Sequence, residues 1–165
     1  MAVAKRSIPL FLRRLKQLRC WHVSAGEPTL PTFCLALGRK VPRQRQLRNA
    51  NQPLVYRRFE GEAQLLVSCA WRLQRRGIVV AGSRDEDSRI INALELLRGA
   101  RVLRTRLRGV AWDLEIGFSG GITLAMFGDL ARGPVEYTNN WQLEVGRRVL
   151  VAGPGENWSI AVRRE

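Results

Sequence analysis

The sequence predicts an α+β fold: a single domain carrying a strongly twisted antiparallel sheet or meander of about eight to ten strands, with one packed helix at about residues 83–98 and a basic amphipathic helix ahead of it. Three observations lead there. Beyond residue 100 the chain is almost wholly short runs of β character, ARVLRTRL, VAWDLEIGF, ITLAMF, WQLEV, RVLVAG and WSIAVRR. Turn residues part several of these runs, at Gly109, Ser119-Gly120-Gly121, Gly146 and Gly153-Pro154-Gly155. Connections that short favour antiparallel neighbours. Helical spacing of apolar residues, at threes and fours, is clear in only two places.

The first of these places is at the start. Ser7 is positioned to cap a helix whose stripe is Ile8, Phe11, Leu12, Leu15 and Leu18, with Arg13, Arg14, Lys16 and Arg19 mainly off the stripe and Pro9 in the first turn. We assign residues 1–19 to this helix and expect its apolar stripe to dock on the protein's own core. Residues 20–165 form the α+β domain. CWHVS and TFCLALG read as two short strands around the two-proline turn AGEPTLP. Residues 38–61 are polar and arginine-rich without a period, and predict an irregular, mobile loop. EAQLLVSCAWRL alternates throughout, so it reads as one strand, paired through Arg75-Arg76-Gly77 with GIVVAG. Ser83-Arg84-Asp85-Glu86 has the spacing of a capping box and opens a helix with Ile90, Ile91, Leu94 and Leu97 on one face, ending at Gly99. Trp112, Trp141 and Trp158, at or near strand starts, are expected to be core anchors whose indole N–H needs a partner.

A chain of 165 residues can bury roughly 70% of its unfolded surface without disulfides. Its composition, 45% apolar and 25% charged, is that of a folded protein. The net charge of +14 is uneven: residues 1–58 hold 13 Lys or Arg against one acid, Glu27, whereas residues 59–165 hold 15 against 13. A field of that kind draws phosphates and acidic partners. An arginine-rich coding bias is the competing explanation, since only Lys5, Lys16 and Lys40 are lysines. Three cysteines do not suit a paired secreted scaffold, and no apolar run reaches a membrane span, so a cytoplasmic home is expected.

Asp113 and Glu115 stand two apart on a strand and share a face about 7 Å apart, a separation on the order of that used by paired catalytic carboxylates. The opposite parity, Trp112, Leu114, Ile116 and Phe118, is uniformly apolar and claims the core. The acids then belong to the solvent face, where neighbouring arginines can pair with them. Cys20, His22, Cys34 and Cys69 would make one Cys₃His set, with Cys20 and His22 on one strand face. With 13 and 34 residues intervening between successive cysteines, the spacing is not that of a zinc site, and buried thiols filling core space explain them better. No metal and no cofactor is expected, and no phosphate-binding loop is present. Arg39, Lys40, Arg43, Arg45, Arg48, Arg57 and Arg58 cluster around Tyr56 and Phe59, which is raw material for contacts with phosphates and bases.

The block YRRFEGEAQLLVSCAWRL, then AWDLEIGFSGGITLAMF and NNWQLEV, resembles uncharacterised bacterial proteins of a small β-rich family over about residues 56–162. The shared outline is Gly-Glu-x-x-Leu before a Trp-Arg-Leu strand, an Asp-Leu-x-x-x-Phe-x-x-Gly-x-x-Leu hairpin and a closing Asn-Trp-x-Leu strand. Some of these proteins are similar to immunity proteins found beside bacterial toxins, which implies partner binding without catalysis. Asp113, Asn140 and Trp141 are the non-generic positions of the match, with interaction or structural roles. The expectation is therefore a non-enzymatic, immunity-like binding protein acting through protein–protein contact. The alternative is a nucleic-acid-binding protein using the basic N-terminal third.

Overall fold

The computed structural model describes residues 2–26, 30–129 and 139–163, with side chains from Ser7 onward. In chain order the elements are α1 (Ala2–Arg13), β1 (Cys20–Ser24), β2 (Phe33–Pro42), α2 (Leu54–Arg58), β3 (Phe59–Val67), β4 (Ala70–Arg75), β5 (Ile78–Gly82), α3 (Asp87–Leu94) with a 3₁₀ turn (Glu95–Leu97), β6 (Val102–Arg108), β7 (Asp113–Phe118), β8 (Ile122–Phe127), β9 (Trp141–Val145), β10 (Arg148–Ala152) and β11 (Trp158–Val162). The class is α+β with antiparallel pairing, but the strands form two sheets where one was expected. One sheet has the order β1-β2-β3-β9-β10-β11 and the other β5-β4-β8-β7-β6.

The split lies inside EAQLLVSCAWRL, read from its alternation as a single strand. At Ser68 and Cys69 the chain leaves one sheet for the other, and both backbone N–H groups donate to the Asn140 carbonyl, at 3.0 and 2.9 Å. Parity survives the crossing because the two sheets face one core. Leu65 and Val67 enter it from β3, Trp71 and Leu73 from β4, and all four are buried. The opposing walls are β9 with Trp141, Leu143 and Val145, and β7 with Leu114, Ile116 and Phe118. Each fully buried leucine or isoleucine contributes roughly 1.5–3 kcal/mol of transfer free energy. Of the three expected anchors only Trp141 is fully buried, Trp112 and Trp158 being partly so. Trp141 Nε1 donates to the Trp112 carbonyl at 2.8 Å, Trp112 Nε1 to the Glu156 carbonyl at 2.7 Å and Trp71 Nε1 to the Pro31 carbonyl at 2.9 Å, whereas Trp21 Nε1 is buried without a partner among the described residues.

Along one side the two sheets are stitched together. Arg19 and Arg101 form an antiparallel bridge, flanked by bonds from Gln17 N–H to Val102, Val102 N–H to Leu18, Cys20 N–H to Ala100 and Gly99 N–H to Cys20. The β1 edge thus meets the β6 edge. β11 and β5 are left as the outermost strands of the two sheets.

Among the described residues there are three α-helices where two were expected. α1 begins at Ala2, so Ser7 is not its cap and Pro9 lies inside it, forgoing one amide bond to the preceding turn. The helix ends at Arg13, short of residue 19, and its stripe docks on the core through Ile8, Phe11 and Leu12, followed by Leu15 beyond its end. α3 starts at Asp87, not at residue 83, because the capping box does not form. The Ser83 hydroxyl instead accepts from Trp71 N–H at 3.2 Å, and the Asp85 carboxylate from Gly82 N–H at 2.8 Å. Both side chains are drawn to the β4–β5 hairpin, whose turn places Arg76 and Gly77 at positive φ.

Residues 38–61 are far more ordered than a loop. β2 runs on to Pro42, α2 follows, and β3 starts at Phe59. Lys40, Val41 and Pro42 pair with Gly61, Glu60 and Phe59. Only residues 43–53 remain irregular.

Candidate functional site

The outward face of the six-stranded sheet is half covered by residues 43–58, and this cover is built around two side chains that sequence reasoning assigned elsewhere. Arg43 was expected to offer its charge to a polyanion. It is turned inward, donating from Nε to the carbonyls of Tyr56 (3.0 Å) and Phe59 (3.1 Å) and from Nη1 to Glu60 (3.1 Å), with its guanidinium 4.9 Å from the Tyr56 ring centre. His22 stacks on the Tyr56 ring, with ring centres 4.0 Å apart.

His22 is a structural junction. Its Nδ1 accepts from Arg98 at 3.4 Å, which leaves the proton on Nε2 to donate to Gln52 Oε1 at 3.1 Å. Gln52 in turn donates to the Ser24 hydroxyl at 3.0 Å, and Arg98 is forked onto Glu95 at 2.8 and 2.9 Å. Burial holds the imidazole below its ordinary pKa, with the Arg98 charge acting in the same direction against the Gln52 bond. The Glu95 carboxyl is also held low, chiefly by its bonds from Arg98.

The suggested Cys₃His grouping is taken apart by a bulge. β1 shifts register between Cys20, opposite Leu37, and His22, opposite Ala36, so the two do not share a face. Cys20 points into the core, where burial pushes its thiol up to about 12. Burial likewise raises Cys34, beneath Tyr56 on the outward face, and Cys69, at the sheet crossing, each to about 11. Among the described residues, no group of three or more His, Cys, Asp or Glu side chains is placed to hold a metal ion.

Across the middle of this face runs a chain of charge. Arg163 Nη1 donates to both Glu60 oxygens at 3.1 Å and to Glu144 at 3.4 Å, and Gln142 donates to Glu144 at 2.8 Å. On one side lies a cavity of about 130 Å³ floored by Cys34, Gln64, Leu66, Gln142 and Glu144. On the other is one of about 210 Å³ between Val41, Pro42 and Arg147. Both are smaller than the roughly 300–1,000 Å³ of a small-molecule site.

The remaining predicted residues scatter. Arg39 pairs with Glu62 at 3.1 Å, Arg57 donates to the Leu47 carbonyl at 3.0 Å, and Lys40 lies 5.3 Å from the Trp21 ring centre. Arg45, Arg48 and Arg58 are exposed. Asp113 and Glu115 lie on the outward face of the other sheet: Asp113 accepts from Gly128 N–H at 2.7 Å, and Glu115 pairs with Arg104 and Arg108 at 3.6 and 3.7 Å. Asn140 and Trp141 are buried at the junction of the sheets, where Asn140 Oδ1 accepts from Asp129 N–H at 3.0 Å. Gly153 sits against it at φ +91°, and a Cβ there would meet Asn140 Nδ2 at 2.6 Å. These are structural placements.

Comparison with family models, curated proteins and solved structures finds no match to this chain. Among the described residues no helix is long and apolar enough to cross a membrane.

Proposed function

We propose that this is a non-enzymatic, immunity-like binding protein that engages a protein partner by accepting an extended segment alongside β11. The observation that carries the reading is the outer edge of that strand, with which no strand among the described residues pairs. β11 is the last strand of its sheet, and Gly153 N–H bonds Asn157 while Arg163 N–H bonds Arg147. In the β10–β11 register those bonds make Val151/Ser159 and Val149/Ala161 the hydrogen-bonded pairs. The N–H and C=O groups of Trp158, Ile160 and Val162 therefore point away from β10. WSIAV carries no charge and no proline, the devices that normally blunt an edge. β5 differs, because Arg89 from α3 donates to its Val80 carbonyl at 2.9 Å. Strand addition draws its affinity from such main-chain groups and its selectivity from adjacent pockets, a role that fits the cavity of about 210 Å³ bordered by Arg163, the residue that follows β11.

A photo-crosslinking residue in place of Val162, introduced in the producing organism, is expected to join the chain to one protein partner. The purified pair should lose about tenfold in affinity on Ile160→Pro, which removes an outward N–H while leaving the β10 ladder intact. No adduct, or binding indifferent to Ile160→Pro, would refute the reading.

A further inference from the structure

We infer that the outward face of the five-stranded sheet is a binding surface for single-stranded RNA. This surface is separate from β11 and does not depend on the partner proposed for it. The strand register lays out three rows across the sheet. Arg104, Gly117, Thr123 and Gln74 form one, Arg106, Glu115, Ala125 and Arg72 the next, and Arg108 and Asp113 lead to Phe127 and Ala70 in the third.

Three arginines thus stand on alternate residues of β6, about 7 Å apart, commensurate with successive phosphates of an extended single strand. Arg104 and Arg108 are 63% and 57% exposed, and Arg106 is exposed as well. Beyond them the floor is low at Thr123 and Ala125, whose side chains are small, while the Arg104 side chain itself lies across Gly117. Two strands over, roughly 10 Å from β6, Phe127 is 40% exposed and carries the Arg72 guanidinium 5.3 Å from its ring centre. A nucleotide spans that distance from phosphate to base, and an aromatic ring with an arginine plane is a stacking platform.

A duplex is a poor fit, since its major groove admits a helix or a two-stranded ribbon and not the flat face of a five-stranded sheet. In the row led by Arg104, Thr123 on β8 and Gln74 on β4 stand two and three strands from β6 and place a hydroxyl and an amide on the platform side of the face, groups able to bond a ribose 2′-hydroxyl. The face also holds two acids. Asp113 is occupied by Gly128 N–H, and Glu115 shares its carboxylate between Arg104 and Arg108 at distances long for an ion pair. Glu115 is the internal competitor that a phosphate has to displace. Arg106, directly opposite Glu115 in register, has no ion-pair partner among the described residues.

The test is fluorescence anisotropy of a labelled uridine oligomer with the full chain as salt is raised. Binding is expected to weaken with a log–log slope of roughly −2, about −0.7 for each of three phosphates. Arg106→Gln should weaken binding severalfold with the fold unchanged by circular dichroism, Phe127→Ala by roughly tenfold, and Glu115→Gln should tighten it. The deoxyuridine oligomer should bind less tightly than the ribo-oligomer. Arg45→Gln, Arg48→Gln and Arg58→Gln together should leave affinity within about threefold, apart from a general charge effect. Absence of binding at low salt would overturn the inference. So would equal binding of the deoxy-oligomer, equal displacement by polyglutamate, or a loss confined to the Arg45, Arg48 and Arg58 variant.

Discussion

His22 is the one histidine of the chain, and it is 3% exposed with both ring nitrogens engaged. Protonating Nδ1 would set a second cation against the Arg98 guanidinium and remove the acceptor that Arg98 uses. The folded state therefore binds this proton less readily than the unfolded chain, where the ordinary value near 6.5 applies. Between the lowered folded pKa and 6.5 the unfolded state carries more protons, so stability rises with pH there. The contribution of the neutral ring is fully present above pH 6.5 and is lost as pH falls through the folded value. Urea unfolding measured from pH 5 to 8 should show the midpoint dropping below about 6.5, with a slope of at most about 1.4 kcal/mol per pH unit from this single group. In His22→Gln that slope should vanish between pH 6 and 7 even though the variant is less stable overall. A slope that persists in the variant would mean another group carries it. Nothing in the spacing of Cys20, His22, Cys34 and Cys69 foretold this role. A lone histidine with a bulge beside it becomes legible only when Gln52, 30 residues away, and Arg98, 76 residues away, are brought to it.

At the level of elements, β11 is the strand whose two edges differ most. The Ala161 N–H faces β10, whereas the Ile160 N–H faces outward. Proline at 160 should therefore be tolerated within about 1 kcal/mol, and proline at 161 should cost about 2–3 kcal/mol more by orphaning a ladder bond. Comparison of the two variants by thermal melting checks the register directly, and equal destabilisation would show that the ladder has slipped. Individual strands were readable from sequence wherever one face was apolar. The Arg76-Gly77 turn, the Ser119-Gly120-Gly121 hairpin and the buried parity of Leu114, Ile116 and Phe118 stand as read, but Trp112, read as the first residue of that parity, lies ahead of β7 at φ +59° and is only partly buried. Elements whose local chemistry had a stronger tertiary competitor were misread. Ser83 and Asp85 have the spacing of a helix cap, yet bond the β4–β5 backbone instead, so α3 begins later. The arginine-rich segment lacks a period because Arg43, Arg57 and Gln52 fasten it by side-chain bonds to backbone and to His22, and such fastening leaves no hydrophobic pattern.

For the molecule as a whole, the two-sheet arrangement was hidden in the property that made the strands easy to find. Alternation through Leu65, Val67, Cys69, Trp71 and Leu73 is unbroken, because a chain crossing between facing sheets keeps one parity pointed at the shared core. What distinguishes one long strand from two is the pairing of Ser68 and Cys69 N–H with the Asn140 carbonyl, a contact between residues about 70 positions apart that no local pattern records. The same holds for the seam at Arg19 and Arg101. Closing the sandwich along that side removes two of its four edges and leaves β11 as an unblunted one, so the seam determines where an extended partner can add. If it is part of the cooperative structure, the amides of Gln17, Cys20, Gly99 and Val102 should exchange with deuterium only through global unfolding, as slowly as the amides of Leu65 and Leu143 in the central strands. The outward amides of Trp158, Ile160 and Val162 should exchange orders of magnitude faster, although they lie in a strand of the same sheet. Saturating the chain with a strand-adding partner should slow these three selectively while the seam amides, already at the global limit, slow only by the overall gain in stability. Fast exchange at the seam in the free protein would instead mean that the sheets part along β1 and β6, and that this edge, not β11, is the one open to a partner.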